Sequence, residues 1–381
     1  MLRVTTNSTL YTYQKNLLKT TNQLYSAMNA MTTGRNFDSY SADPAAATRA
    51  FQIHSSLNAT NAQAANNKTV YNKFSSAWDM ADDMINELSA DLGKTPLIKG
   101  LNQPGWSTLN TQGDVILSGA EAMVQSLNAK YDGNYVFNGA DTQNPPFAIE
   151  TVGDHYYLTY RNVRVDDNPN SSYYNETYKD VNGNTILGAD GKTPLTNGEA
   201  LKLFSSGDEH QYVDIGIGFE VDKNGNVINS TAFDSAISGL DFIGGSGLDE
   251  DGDPKNIVSI MLRAAEVFKG YDQSTAANGE NGTWGAAGDY EDAQRLVDKF
   301  SAAQEALSDQ HVQLETSAKY LQTNQTQLES TFYSLNTELD SIERIDEVEA
   351  ILTLVSMQTS YNAALQAGAN VVPQSLMDYM N

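Results

Sequence analysis

Cysteine is absent from this chain of 381 residues, and histidine (4), tryptophan (3) and proline (9) are scarce. Without thiols, the chain has no disulfide framework, no zinc-thiolate site and no cysteine nucleophile. The histidines are isolated in sequence, and none belongs to an HExxH or Ser-His-Asp signature. We therefore expect no metal and no cofactor, whereas a carboxylate pair for glycoside hydrolysis stays open, since any pair among the 48 acidic residues would be an arbitrary choice. A chain of this length can fold on its hydrophobic core without such crosslinks.

Positive charge is also scarce. The chain carries 23 Lys and Arg against 48 Asp and Glu, a formal net charge of −25. Such a charge repels phosphate backbones and anionic lipid surfaces, so we expect neither nucleic-acid binding nor membrane binding. The first twenty residues contain no apolar signal core, and no stretch approaches the roughly 20 apolar residues of a membrane span. If the protein leaves the cell, we expect it to do so without a cleaved signal peptide.

What the sequence does contain is heptad spacing of apolar residues, in three segments. The first predicts one amphipathic helix over about 6–32, with residues seven apart at Leu10, Leu17, Leu24 and Met31. The second predicts a helix over 46–92 whose narrow stripe includes Ile53, Leu57, Phe74 and Trp78. The third predicts a helix over 297–342 with its stripe at Leu314, Leu321, Leu328 and Leu335. Helices of this length and pattern must pack along other long helices.

The third stripe changes phase near its end. After Ile342 it continues at Val348, Leu352 and Val355 only if three residues are inserted. In a coiled coil such an insertion marks a change of winding or of partner. We therefore predict a boundary between two packing environments near residues 342–346.

The middle of the chain has a different texture. Shorter helices are predicted over 108–130, ended by the Asp-Gly-Asn at 132–134, and over 256–268. Strand-like runs occupy 155–165 and 212–221, and the second leads into a hairpin turn at Asn224-Gly225. The sequence therefore predicts a β-rich insertion over 141–284.

The fold class predicted is mainly α with this β-rich insertion. Both terminal stripes need a partner, and no other stripe of that length exists, so we expect them to pack against each other. The result would be a long antiparallel coiled-coil or helical-bundle rod formed by both termini, with an α+β or β domain inserted at its tip.

Three local features have a chemical alternative. The acidic run at 248–256 departs from the EF-hand pattern because Gly252 comes too early and Pro254 follows, so we interpret it as a solvated loop. Tyrosines in the strand-like runs could stack on sugars, but aromatic residues also pack in sheets, which we favour. His311 lies in the third stripe, where a polar residue more often fixes register than binds a ligand.

Three stretches resemble the bacterial flagellins and their hook-associated relatives. They are "MTTGRNFDSYSADPAAATRA" (31–50), "YVFNGADTQNPPF" (135–147) and "SYNAALQAGANVVPQSLMDYM" (360–380). The Asp43-Pro44 pair, the second stretch and the C-terminal stretch are similar to the type 3 hook-associated proteins of the hook-filament junction. The resemblance covers about 1–147 and 285–381 and says nothing about 148–284.

The resemblance implies a non-enzymatic structural subunit, exported through the flagellar type III apparatus to the extracellular flagellum. Implied partners are copies of the chain itself, the first hook-associated protein, flagellin and an export chaperone. Implied domains are an inner-tube domain (1–43 and 344–381), an outer-tube helical bundle (44–140 and 285–343) and the surface-exposed insertion (141–284). Its implied assembly seam on the inner-tube helices is Leu10, Leu17, Leu24, Met31, Val348, Leu352 and Val355.

The break between the first two helices has a specific interpretation. Gly34 is expected to end the first helix, Asp43 to cap the second and Pro44 to be its first residue. With Arg35, these residues would form a spoke that links the two tubes. Filament flagellin remains an alternative, as does a flagellin-family protein with an adhesin or enzyme in the insertion.

Overall fold

The computed structural model describes residues 6–37, 39, 41–102, 106–188, 191–205, 209–275 and 281–371. The chain divides into two compact units, one made of 1–62 with 327–381 and the other of 63–326. The finer division into three domains and the predicted rod stay predictions. Residues 372–381, which complete the C-terminal stretch of the resemblance, lie outside the described residues.

In the first unit, helix α1 (Thr6–Thr33) packs along helix α9 (Glu347–Val371). The Gly368 backbone lies against the Tyr13 phenol near one end of the pair. At the other end the Ile345 N–H donates to the Gly34 carbonyl over 3.1 Å. The two helices are therefore antiparallel, and the terminal helices pack together as expected, although the α9 residues that meet α1 are not those of the predicted stripe.

Two longer helices contribute their ends to the same unit. Helix α2 covers Pro44–Asp83 and helix α8 covers Tyr290–Glu343. A small buried cluster joins the start of α2 to the end of α8, formed by Ala50, Ile53, Leu57 and Leu339 with Phe37, Leu335 and Ile342 against it. Helix α8 ends at Glu343 and α9 begins at Glu347, so the predicted boundary at 342–346 is confirmed as a break between helices.

In the second unit, α2 and α8 again run antiparallel. Asn67 donates to the Leu321 carbonyl, Trp78 stacks on His311, and the Gly93 backbone lies against the Phe300 ring. After Asp83 the chain keeps a helical path, with π-type winding over Met84–Lys94 and then α3 over Thr95–Asn102. The helix predicted over 46–92 is therefore continuous, but its last turns change from α-type to π-type winding. The wider winding presents Ser89 and Gly93 to α8, where Gln304 donates to Ser89 Oγ over 3.0 Å.

The core of the second unit is centred on two packed helices. Helix α4 (Leu109–Leu127) buries Leu109, Ile116 and Met123 against α7 (Ile257–Lys269). Helix α7 is buried almost all round, because apolar residues occupy every face between its polar N-cap and Lys269. Both helices were predicted from their spacing, and their bounds differ from the prediction by one to three residues.

Short strands and helices complete this unit. Strands β1 (Lys130–Tyr131) and β2 (Asn134–Tyr135) form a hairpin, and β3 (Phe147–Val152), β4 (His155–Tyr160) and β5 (Val163–Arg164) form an antiparallel sheet in that order. Strand β6 (Tyr212–Val213) pairs with β7 (Phe233–Asp234). The remaining helices are α5 (Asn197–Phe204) and α6 (Gly239–Phe242), with 3-10 turns at Ser172–Asn175, Asn229–Thr231 and Gln273–Thr275.

The prediction of a β-rich insertion was too strong, since its sheets are small. The run at 155–165 is split by a turn at Arg161-Asn162, where φ is 47° and 67°. The strand predicted for 212–221 stops at Val213, because Gly216 and Gly218 both adopt φ of 89°, outside the β region. The hairpin turn at Asn224-Gly225 is confirmed, with Val221 and Val227 paired across it.

Candidate assembly surface on the terminal helices

Helix α1 carries two adjacent rows of large apolar residues. The first row, Leu10, Leu17 and Leu24, is half-buried against α9. The second row follows one residue later, and its side chains are 69%, 63% and 67% exposed at Tyr11, Leu18 and Tyr25. An apolar stripe of this width is broader than one helical partner can cover. The second row therefore faces solvent in the isolated chain.

Helix α9 has the same two-sided character. Its α1-facing row alternates steps of four and three residues: Ala350, Leu354, Met357, Tyr361, Ala364 and Gly368. The small members of this row leave room for side chains of α1, since the Tyr13 phenol lies against the Gly368 backbone. The predicted seam residues Val348, Leu352 and Val355 lie on the other side and are 68%, 65% and 54% exposed.

The predicted assembly seam is thus distributed over two environments. Leu10, Leu17 and Leu24 come together against α9, whereas Val348, Leu352 and Val355 do not contact α1 as a row, and Met31 is exposed. Exposed large apolar residues on the two helices include Tyr11, Leu18, Tyr25, Met28, Met31, Val348, Ile351, Leu352, Val355 and Leu365. Burying each such side chain is worth about 1.5–3 kcal/mol, so a patch of this size can drive association.

Charge on these two helices is sparse and segregated. Lys15 and Lys19 are the charged residues of α1, and Glu347 and Glu349 are those of α9. All four side chains are exposed. The remaining surface of both helices is neutral, so contacts there depend on apolar and amide groups.

The predicted spoke residues lie at a well-defined junction. Gly34, with φ of 67°, ends α1, and Arg35 forms an isolated antiparallel bridge with Arg344. Asn36 donates its side-chain amide to the carbonyls of Ile342 and Arg344, both over 2.9 Å. The C-terminal end of α8 is therefore closed by a residue from the opposite end of the chain.

The second helix begins as the sequence predicts. Asp43 Oδ1 accepts hydrogen bonds from the N–H groups of Ala45 and Ala46 over 3.1 and 3.0 Å, and Pro44 is the first residue of α2. These are the bonds of an N-cap. Asp38 and Tyr40, within the same connection, lie outside the described residues.

The residues predicted for the helical-rod seam are largely buried. Phe74, Leu314 and Leu321 belong to the main core, and Trp78 packs against it. Ile53, Leu57 and Leu335 belong to the smaller cluster described above, and Leu328 is also buried. A polar seam residue, Asn67, is fully buried and hydrogen-bonds Leu321, Asn324 and Gln325. Its amide fixes the register of α2 against α8.

The acidic run at 248–256 is not the solvated loop that the sequence predicts. Lys299 of α8 donates to Asp249, Asp251 and Asp253 over 2.5, 2.9 and 2.8 Å, and Arg295 also contacts Asp253. Although partial burial opposes it, the hydrogen bond from Lys299 holds the pKa of Asp249 below its usual value. The carboxylates are neutralised by side chains about 50 residues away, which no local pattern reveals.

The tyrosine-rich strands pack against the protein itself. Tyr160 is buried, and the Arg164 guanidinium lies 4.6 Å from the ring centre of Tyr157 and 4.3 Å from that of Tyr173. Tyr174 donates its hydroxyl to the Arg164 carbonyl over 3.2 Å. These contacts match the packing interpretation, because the Arg164 guanidinium covers one face of the Tyr157 ring and one face of the Tyr173 ring.

The histidines also have partners within the protein. His54 contacts Glu343 over 2.9 Å, His210 contacts Asp234 over 2.6 Å, and His155 contacts Glu266 over 3.3 Å. His311 stacks on Trp78 with 4.8 Å between ring centres. In the described part of the chain, no group of three or more His, Cys, Asp or Glu side chains is arranged to hold a metal ion.

Two ionisable groups of the second unit are buried, and burial disfavours the charged form of each. Burial raises the pKa of Asp166 to about 6 and lowers the pKa of Lys73 to about 8. Lys73 donates to the Ser235 carbonyl over 2.7 Å. Asp166 accepts from the Leu158 N–H over 3.3 Å, but its Oδ1 has no partner among the residues that the structure describes.

No protein-family model matches this chain, and no curated protein matches it in sequence. A solved structure described as a flagellar hook-associated protein from Vibrio parahaemolyticus is 10% identical, with a TM-score of 0.47, and the match covers 80% of this chain and all of that one. FlgL of Bacillus cereus is 14% identical, with a TM-score of 0.40, and the match covers 76% and 99%. Among the described residues, no helix is long and apolar enough to cross a membrane.

Proposed function

We propose that this chain is a structural subunit of the bacterial flagellum. It forms the layer between the first hook-associated protein and the flagellin filament, and it assembles with copies of itself through α1 and α9. The observation that carries the proposal is the pair of exposed apolar rows on these helices, at Tyr11, Leu18 and Tyr25 and at Val348, Leu352 and Val355. A lone helix pair leaves both rows in water, whereas a lattice of copies buries them.

The division of labour along the chain follows from this role. Residues 1–43 and 344–381 form the assembling inner layer, 44–140 and 285–343 the outer helical layer, and 141–284 the outward-facing insertion. Gly34, Arg35, Asp43 and Pro44 mark the spoke between the layers. Support comes from the capped helix ends at Gly34 and Asp43 and from the break between α8 and α9. The flagellin-like stretches at 31–50, 135–147 and 360–380 are the further support.

Export by the flagellar type III apparatus, with a chaperone on the C-terminal region, is part of the same proposal. The chain would be delivered outside the cell and would bind the hook-associated layer on one side and flagellin on the other. Its chemistry is assembly rather than catalysis.

Deletion of the gene and its complementation test the proposal. A deletion strain is expected to build hooks without filaments and to release flagellin into the medium, which electron microscopy and immunoblotting measure. The double variant Leu18→Ser with Leu352→Ser is expected to fail in complementation, because both exposed rows lose an apolar residue. The matched control, Gln23→Ser with Gln358→Ser, changes two exposed polar residues that lie outside the two apolar rows of the same helices and should restore filaments.

The outcomes separate the alternatives. Loss of only part of the filament mass assigns the chain to filament flagellin instead. Normal filaments in the deletion strain remove the structural role, and complementation by the double variant removes α1 and α9 as the assembly surface.

A further inference from the structure

Lys73 of helix α2 lies on the wall of a cavity of about 300 Å³ in the second unit. This volume is at the lower end of the range for small-molecule sites. The apolar part of the wall comes from valines and tyrosines, namely Val70, Val136, Val213, Tyr131 and Tyr135. Among the described residues, no other lysine, arginine or histidine lines this cavity. A small molecule that enters it therefore meets one amine on a largely apolar surface.

The Lys73 amine has two hydrogen-bond acceptors, and both belong to uncharged groups. It donates to the Ser235 carbonyl over 2.7 Å and to Gln211 Oε1 over 3.4 Å. A charged ammonium has three N–H donors, whereas a neutral amine has two N–H donors and a lone pair. The two acceptors therefore match the neutral amine and leave its lone pair free.

Lys299 shows the opposite arrangement. Although burial opposes it, the hydrogen bonds from Lys299 to three aspartates hold its pKa above the usual value. Within the described residues Lys73 forms no ion pair. Burial lowers the pKa of Lys73 from an ordinary value of 10.5 to about 8, and the charge of Asp234 opposes this only in part. The surroundings of Lys73 thus favour the neutral form, which is the nucleophilic form of an amine.

We propose that Lys73 is a covalent binding site for small uncharged aldehydes. The lone pair of its nitrogen attacks the carbonyl carbon, and the carbinolamine that forms loses water as the C=N bond is made. Both amine hydrogens leave with the carbonyl oxygen as water, so the step consumes no oxidant or reductant. The imine nitrogen can then take one proton from solvent and donate it to the Ser235 carbonyl.

Charge restricts the class of aldehyde. Asp132 lies on the cavity wall, and the whole chain carries a net charge of −25, so an anionic aldehyde is repelled. Imine formation also uses the amine of Lys73, and the described lining residues include no second cation for a carboxylate or phosphate group. This inference goes beyond the proposed assembly role and does not depend on it.

Reductive trapping measures the reaction in the full-length protein. The chain is treated at pH 7 with benzaldehyde and cyanoborohydride, which reduces the imine to a stable secondary amine, and peptide mass spectrometry follows each lysine. Lys68, an exposed lysine of the same helix, is the internal control. At pH 7 a group with a pKa of about 8 has a neutral fraction about three-hundredfold larger than an ordinary lysine. Because a less basic amine is also a weaker nucleophile, Lys73 should react about tenfold faster than Lys68.

The pH dependence of this ratio gives a second readout. Both lysines meet the same reagents, so the ratio of their rates removes the effect of pH on the reagents. Between pH 7 and about pH 10 the neutral fraction of Lys73 reaches its maximum while that of Lys68 keeps rising. The ratio of Lys73 to Lys68 modification should therefore fall at least about tenfold over this range. In urea, where the cavity is lost, the two lysines should react alike.

The variant Gln211→Glu tests the hydrogen-bond arrangement with little change in volume. A carboxylate at this position would pair with Lys73 and favour the ammonium, so the selectivity for Lys73 at pH 7 should fall about tenfold. The control Gln322→Glu adds the same charge at an exposed position of α8 outside the cavity lining and should leave the selectivity unchanged. Circular dichroism checks that both variants are folded.

A carboxylated benzaldehyde tests the charge of the ligand in the unmodified chain. It has the same ring and aldehyde with one added negative charge, so its ratio of Lys73 to Lys68 modification should be several-fold lower than that of benzaldehyde. An equal ratio for the two aldehydes overturns the restriction to uncharged ligands.

The other outcomes bear on the site itself. Equal rates at Lys73 and Lys68 in the folded chain, or a Lys73 that resists modification, overturn the proposal. A ratio that does not change between pH 7 and about pH 10 shows that Lys73 is held as an ordinary ammonium and overturns it as well. Full selectivity in a folded Gln211→Glu chain contradicts the neutral-amine arrangement. None of these results affects the proposed assembly role, which the deletion strain tests separately.

Discussion

Helices α7 and α9 are both rich in apolar residues, yet the protein treats them in opposite ways. Helix α7 is buried almost all round by α4, the β3-β4-β5 sheet and the segments beside it. Helix α9 buries one narrow row against α1 and exposes Val348, Leu352 and Val355. The comparison shows that the apolar content of a helix indicates how much of its surface must be buried. It does not indicate whether the residues that bury it belong to the same chain. For α7 they lie within the chain, and for α9 we place them in other copies.

The largest expected difference between the two regions is in proteolysis of the monomer. Limited digestion should remove about residues 1–45 and 345–381 while α4 and α7 stay intact, because a helix pair opens locally at low free energy and a core helix opens only with its unit. Cleavage in the terminal helices should be about a hundredfold faster or more, measured by mass spectrometry over time. Termini that resist protease in a monodisperse monomer would contradict the contrast.

Truncating one leucine side chain on each helix compares how much α7 and α9 contribute to the free energy of unfolding. Leu262→Ala, at a fully buried position of α7, should lower the free energy of unfolding by about 2–5 kcal/mol, because it removes buried methyl groups and leaves a cavity. Leu352→Ala, at a 65% exposed position of α9, should change it by about 0.5 kcal/mol or less. Urea denaturation of the purified chain measures both. Equal costs would mean that α9 has a partner within the monomer.

A smaller effect tests whether the core is optimised for stability. Because burial raises the pKa of Asp166 to about 6 from an ordinary value of 3.8, the folded state favours the protonated form. Its contribution to stability is therefore present below about pH 4 and is lost as the pH rises through 6. Asp166→Asn should stabilise the protein by up to about 3 kcal/mol at pH 7, and this gain should disappear below about pH 4.

The control for that substitution is Asp154→Asn, which removes the same charge from an exposed turn between β3 and β4. It should change the unfolding free energy by less than about 0.5 kcal/mol at either pH. A gain for Asp166→Asn that does not depend on pH would show that burial of the charge is not its cause.

The sequence predicts the features of this structure that depend on neighbouring residues better than those that depend on residues far apart in the chain. Periodicity and capping are local, so the bounds of α1, α4 and α7, the N-cap at Asp43 and the break near 344 were all predicted. The row of α9 that meets α1 was not, because its small members Ala350, Ala364 and Gly368 give little hydrophobic signal, although Gly368 makes room for the Tyr13 side chain. The contact between Lys299 and the Asp249 loop was also missed, since it joins residues 50 apart.

The pairing of α1 with α9 also has a consequence for biosynthesis. Thr6, the first residue of α1, precedes Glu347, the first residue of its partner helix, by 341 positions. At about 5–20 residues per second, a ribosome needs roughly 17–70 s to cover that interval. Until then α1 exists as a nascent segment with both apolar rows in water. Whatever binds it during that delay competes with its own C-terminus for the same side chains.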